Sequence, residues 1–264
     1  MLLVTIPLAG MAGLFIGSFL NVVIYRGPLG LSVAAPRSFC PTCDRQLTWW
    51  ENVPVVSWLA LRGRCRTCHE AISIRYPLVE LATGFSFVLV TWAWHGTILS
   101  AAYCVLAASM IAVGLIEYGG QRAPISVAAI GTGLAQVIII IGGVWQHRWT
   151  VVAGSLVGSA VALAVYAMIC RSDPEGADPR GYGRSALPLA GCWIGGLALA
   201  GLVVGASAWI VAYVVCMVAR SITRQTAGAG GHPMERSLPR HPLVTYPLVT
   251  GIVVAMVASL LVGA

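Results

Sequence analysis

Two Cys-x-x-Cys pairs, Cys40-Pro41-Thr42-Cys43 and Cys65-Arg66-Thr67-Cys68, flank residues 44–64. Each pair can present two thiolates from one tight turn, and four thiolates satisfy the tetrahedral preference of Zn2+. Cys40, Cys43, Cys65 and Cys68 are therefore the candidate metal ligands, and a structural zinc ribbon is the expected use. Four sulfurs also suit iron, but zinc is the better match for a purely structural role. Free or unmetallated thiols are the plain alternative. The stretch Cys65–His69 also has the c-type haem attachment spacing. The first pair lacks a following histidine, however, so His69 reads as a solvated neighbour of the turn. The other cysteines, Cys104, Cys170, Cys192 and Cys216, lie in or beside apolar runs and read as small packing residues.

These ligands need a scaffold, and the composition says which kind. Of 264 residues, 58% are hydrophobic and 9% charged, against about 25% charged in soluble domains. No soluble fold hides that much apolar surface. Windows long enough to cross a bilayer fall at about 2–25, 77–94, 98–116, 124–143, 150–170, 186–203, 205–220 and 243–263. The expected fold is an all-α polytopic membrane protein of about eight transmembrane helices, with a small zinc ribbon between the first two. Residues 1–25 form the first helix, 26–76 the ribbon and 77–264 the remaining transmembrane domain. The first span is too long for a cleaved signal and no Ala-x-Ala-like site follows it, so it reads as a retained helix.

All sixteen basic residues are arginine, and fifteen fall in alternate loops: 26–76, the loop with Arg122, the loop 171–185 and the segment 220–241. Only Arg148 falls on the other side. The positive-inside rule places the arginine-rich loops in the cytoplasm and both termini outside. A cytoplasmic ribbon disfavours disulfides. The net charge of +7 then reads as topology and attraction to the anionic lipid bilayer, and nucleic acid is not an expected partner. No internal repeat stands out, and no oligomeric state follows from the sequence.

The stretches GLFIGSFLNVVIYRGP (13–28), CPTC (40–43), WWENVPVVSWLALRGRCRTC (49–68) and ISIRYPLVEL (72–81) resemble the N-terminal half of type IV prepilin leader peptidase/N-methyltransferases. LPRHPLVTYPLVTG (238–251) more loosely resembles the start of that family's final span. The resemblance implies a bacterial inner-membrane enzyme acting on type IV prepilins or pseudopilins. It cuts a basic leader at the cytoplasmic face, and many members then methylate the new amino terminus with S-adenosylmethionine. Cleavage in the family uses two membrane-border aspartates. One ends the third span and has a proline seven residues on. The other stands in a Gly-x-Gly-Asp-x-Lys stretch at the start of the sixth.

Here the first position is Glu117, with Pro124 at the matching offset, and the second is Arg184, framed by Gly181 and Gly183 and followed by Ala186 in place of the lysine. An aspartyl dyad shares one proton between two carboxylates. Arginine accepts no proton at any usable pH, and it draws a neighbouring carboxylate's pKa down. The resemblance thus carries a degenerate peptidase pair. A Glu117–Arg184 ion pair is the expected use, against the alternative that each side chain reaches the interface alone. Glu80 or the acids Asp173, Glu175 and Asp178 are the possible substitutes. Methyl transfer relies more on positioning and is the activity left open, although no glycine-rich loop marks an S-adenosylmethionine site. Within the resembling region, Gly13, Gly17 and Ser18 read as close helix contacts. Asn21 and Asn52 read as backbone or substrate contacts, and Glu51 and Glu80 as candidate polar groups where substrate enters, with solvated surface the plainer reading of Glu51. The rival reading is a catalytically inactive pseudoenzyme that binds prepilins or scaffolds pilus or type II secretion assembly.

Overall fold

The computed structural model describes residues 2–118, 121 and 123–172. The helices in chain order are α1 (Leu2–Arg26), α2 (Val56–Ala60), α3 (Arg75–Ala93), α4 (Ile98–Tyr118), α5 (Ile125–Trp145) and α6 (Trp149–Ser172), with short 3-10 turns at Gly27–Leu29 and Trp49–Asn52. Among the described residues there is no strand, only two isolated antiparallel bridges, Phe39 with Gln46 and Arg64 with Ala71. Four segments are long and apolar enough to cross a membrane: Leu2–Leu29, Arg75–Ala93, Ile98–Ile116 and Ile125–Trp145. They coincide with the first four expected spans, and α6 is a helix over the fifth. The expected spans at 186–203, 205–220 and 243–263 lie outside the described residues.

The chain divides after Ala112 into two compact units. In the first, α1 turns the usual amphipathic pattern inside out. Leu3, Val4, Leu8, Met11, Phe15 and Phe19 face outward, while Gly13, Gly17, Leu20, Asn21 and Ile24 are buried. Their spacing of three and four places the buried residues on one helical face. Lipid tails are as apolar as leucine, so helices associate where small residues let backbones meet. A Cβ on Gly13 would come within 2.7 Å of the Gly84 Cα, and one on Gly17 within 2.7 Å of the Glu80 Cα. The facing side of α3 buries Val79, Glu80, Thr83, Gly84, Phe87 and Val90. The Thr83 hydroxyl donates to its own Val79 carbonyl at 2.8 Å, so this buried hydroxyl is satisfied within the helix.

Tight turns join α3 to α4 and α5 to α6. His95 and Gly96 link α3 to α4 at φ of 51° and 67°, and Trp94 stacks on the buried Tyr103 with ring centroids 4.5 Å apart. His147 links α5 to α6 at φ 52°. Within the second unit, Gln136 Nε2 donates to Ser155 Oγ at 2.9 Å, and Ser159 Oγ donates to Gln136 Oε1 at 3.4 Å. This polar contact joins α5 to α6.

Candidate functional site

The two Cys-x-x-Cys segments fold into near-identical turns. In the first, the Cys40 N–H donates to the Arg45 carbonyl (2.9 Å) and the Asp44 N–H to the Cys40 carbonyl (2.9 Å). In the second, the Cys65 N–H donates to the Glu70 carbonyl (2.8 Å) and the His69 N–H to the Cys65 carbonyl (3.0 Å). Each turn closes through a left-handed residue just after its second cysteine: Asp44 at φ 53° and His69 at φ 58°. Aspartate and histidine tolerate that region better than most residues. His69 is exposed and its evident task is conformational. The repeat escapes sequence inspection because the turns share little beyond Cys, Thr and Cys. The hydrogen-bond pattern repeats although the side chains do not.

The four sulfurs lie within 4.8 Å of one another, and Cys40 Sγ and Cys68 Sγ are 3.7 Å apart. A tetrahedron with metal–sulfur bonds of about 2.3 Å has edges of about 3.8 Å. All four cysteines are free, so the cluster fits a tetrahedral metal ion rather than a cross-link. The Cys65 thiol is drawn down to about 6, first by the Cys68 N–H and then by the Thr67 N–H. Amides aimed at a sulfur favour the thiolate that a metal requires.

Around the cluster, Trp58 braces the ribbon. Its Nε1–H donates to the Ile72 carbonyl at 3.1 Å. Gly63, at φ 67°, lies under its ring, where a Cβ would stand 2.8 Å from Cζ2. Arg66 sits over the Trp50 ring at 5.6 Å.

Glu51 corrects the expectation of a solvated surface residue. It is buried and paired with Arg45, whose Nη2 donates to Oε1 at 2.6 Å and Nη1 to Oε2 at 3.0 Å. The Thr48 N–H (2.8 Å) and hydroxyl (2.7 Å) also donate to Oε2. The Arg45 hydrogen bond, followed by those of Thr48, holds the Glu51 carboxyl down at about 2. Arg45 stands six residues earlier, a spacing at which neither a helix nor a strand brings two side chains into contact. Only the loop's path brings them together.

The two asparagines serve the backbone. Asn52 Nδ2 donates to the Thr48 carbonyl at 3.2 Å. Asn21 Nδ2 donates to the Gly17 carbonyl (3.4 Å) and across to the Tyr76 carbonyl (3.1 Å). Glu80 is buried in α3, and its Oε2 accepts the Val55 N–H at 2.7 Å. That carboxylate ties α3 to the ribbon loop.

Glu117 belongs to the final turn of α4, and Pro124 caps the start of α5. Arg184 lies outside the described residues, as do Asp173, Glu175 and Asp178, and with them the expected Glu117–Arg184 pairing.

Residues 11–94 match the family model for the bacterial peptidase A24 N-terminal domain. The chain is 35% identical over 213 residues to a prepilin leader peptidase/N-methyltransferase of Pseudomonas putida, covering 72% of this chain and 73% of that protein. It is 34% identical over 244 residues to one from Neisseria gonorrhoeae, covering 81% and 83%. To one from Myxococcus xanthus it is 46% identical over 121 residues, covering 45% of this chain and 36% of that protein. No solved structure matches the chain.

Proposed function

Since the chain belongs to the prepilin leader peptidase/N-methyltransferase family, we propose that it acts on prepilins or pseudopilins in the bacterial inner membrane, by methyl transfer to an amino terminus rather than by cleavage. The supporting observation is an asymmetry. The region of the N-terminal family domain has a complete four-cysteine cluster and a closely packed α1–α3 seam, whereas Arg184 stands where the resemblance would put the second aspartate.

Zinc in the cysteine cluster is structural in this reading, since four protein sulfurs leave no open position for substrate. The Arg45–Glu51 pair and the Trp58–Ile72 hydrogen bond brace the ribbon from within, and Glu80 ties it to α3 through the Val55 N–H. S-adenosylmethionine would supply the methyl group. The protein's contribution is to hold the amine in place and exclude water. At the peptidase position, the Arg184 guanidinium cannot share a proton with the Glu117 carboxyl, so water is not activated between them. The ribbon and the other arginine-rich loops lie on the cytoplasmic side, and both termini lie outside.

The test is a mass assay on purified full-length protein with its bound metal, offered a prepilin, the same protein with its leader already removed, and S-adenosylmethionine. Methylated product from the pre-cut form only is the expected result. Leader removal that requires Glu117 would overturn the loss of cleavage. Neither product, from folded and metal-loaded protein, would favour the second reading suggested by Arg184: a pseudoenzyme that binds prepilins or scaffolds their assembly.

A further inference from the structure

Glu80 and Asn21 face each other's helix across one turn of the α1–α3 seam. Gly17 lies against the Glu80 backbone, with its added Cβ 2.7 Å from the Glu80 Cα. Asn21, one turn beyond Gly17, reaches the Tyr76 carbonyl, one turn before Glu80. Both side chains are deeply buried, at 7% and 3% exposure.

Two features of this pair call for a donor that the described residues do not supply. The Asn21 amide spends its nitrogen on two backbone carbonyls, which leaves Oδ1 buried without a hydrogen-bond partner. An orphaned buried acceptor is costly. Glu80 receives neutral donors, the Val55 N–H and the Ser18 hydroxyl. The ion pair among the described residues is Arg45 with Glu51, and no cation of the described residues reaches Glu80. A buried carboxyl within a membrane-spanning helix is a marker of function when no structural partner neutralises it.

The backbone donor to Glu80 is itself under strain. Val55 sits at φ 61°, ψ −48°, and the Val56 N–H folds back on the Pro54 carbonyl at 2.5 Å. This is a γ-turn of the rare positive-φ kind, in a β-branched residue that avoids such angles. Strain of this sort persists where the surroundings enforce it, and it gathers at ligand sites. A charged donor arriving at the carboxylate would replace Val55 and let the turn relax.

We propose that Glu80 and Asn21 form an acceptor site for a primary ammonium, and that its ligand is the amino terminus of the polypeptide to be methylated. The identification of the ammonium rests on the methyl-transfer reading; the site itself rests on the seam. The carboxylate takes the charge, and Asn21 Oδ1 takes a second N–H and fixes direction. A carboxylate and an amide oxygen offer only acceptors, which suits an ammonium's three donors. An acetylated terminus keeps one N–H and no charge, so it is rejected.

The experiment uses the full chain in lipid nanodiscs and two synthetic apolar peptides, one with a free amino terminus and one acetylated. Wild type is expected to bind the free amine at least about tenfold more tightly, the usual yield of a buried charge-assisted hydrogen bond. Glu80→Gln keeps an acceptor for the Val55 N–H but loses the charge, and it should abolish the preference. Asn21→Leu should reduce it. Bound metal and thermal midpoint establish that each variant is folded. Equal binding of the two peptides by wild type overturns the site whatever the variants do, as does a preference that survives in folded Glu80→Gln. Labelled-methyl transfer on the same samples separates the two ideas. Preference without transfer upholds the site and removes the methyl-transfer reading. Transfer with the preference intact in Glu80→Gln does the reverse.

Discussion

At the scale of single residues, Glu51 shows how a loop without a large core stays folded. Its carboxylate gathers Arg45 and two groups of Thr48, and it closes the 3-10 turn at Trp49–Asn52 as a capping box. Because its pKa is held down at about 2, below an ordinary glutamate near 4.3, the contribution to stability has a defined sign. It is fully present above about pH 5 and is lost as pH falls toward 2. Glu51→Gln should therefore weaken the ribbon by on the order of 1–2 kcal/mol at neutral pH, with the gap to wild type closing on acidification. Unfolding followed by tryptophan fluorescence at several pH values measures it, and comparing the two proteins cancels the acid loss of metal common to both. A gap unchanged down to pH 3 would mean that the ion pair does not stabilise the ribbon. The cysteine ligands were legible because Cys-x-x-Cys spacing is itself the chemistry. Glu51 was not, since a charged residue in a polar loop gives no local sign of a partner. The left-handed roles of Asp44, His69, His95 and His147 were hidden too, because none of these positions is glycine.

Among the elements, the long helices of the described residues were read to within a few residues, since about twenty apolar residues in a row have few uses besides crossing hydrocarbon. What hydropathy could not supply was the facing of each helix. In α1 the outward face is more apolar than the buried one, so the usual amphipathic rule points the wrong way. The small residues at 13 and 17 gave the better clue, and the structure places both against the α3 backbone. Gly17→Leu should separate α1 from α3, because its Cβ alone would stand 2.7 Å from the Glu80 Cα and 3.1 Å from the Val79 carbonyl oxygen. Backbone atoms cannot swing aside as a side-chain tip can. The expected result is a lower thermal midpoint in nanodiscs together with loss of the amine preference, while the metal stays bound because the cysteine cluster is built by its own turns. A fully stable Gly17→Leu protein would mean that α1 and α3 do not pack as described.

For the whole molecule, the decisive matter is which chemistry the second unit can still perform. Glu117 lies in the last turn of α4, and Arg184 follows α6 by twelve residues (172 to 184). In the orientation proposed from the distribution of arginine, both positions fall at the cytoplasmic border. A working dyad needs one carboxyl to hold a proton while the other accepts one. In the proposed Glu117–Arg184 pairing, Glu117→Asp alone would leave a carboxylate kept ionised by the guanidinium. Arg184→Asp alone would restore the second acid but leave the first a methylene too long, and a displacement of about 1 Å can cost on the order of a hundredfold in rate. Neither single change is expected to give cleavage, and the double change Glu117→Asp with Arg184→Asp is. Since residues that act as one catalytic unit are strongly non-additive, the double variant should exceed the product of the two singles. The readout is leader removal from a prepilin, run beside methyl transfer to a pre-cut substrate, which should persist in all three variants because the α1–α3 seam is untouched. Cleavage by Arg184→Asp alone would show that Glu117 already serves as the first acid. A silent double variant that still methylates would show that the second unit has lost more than its two carboxylates.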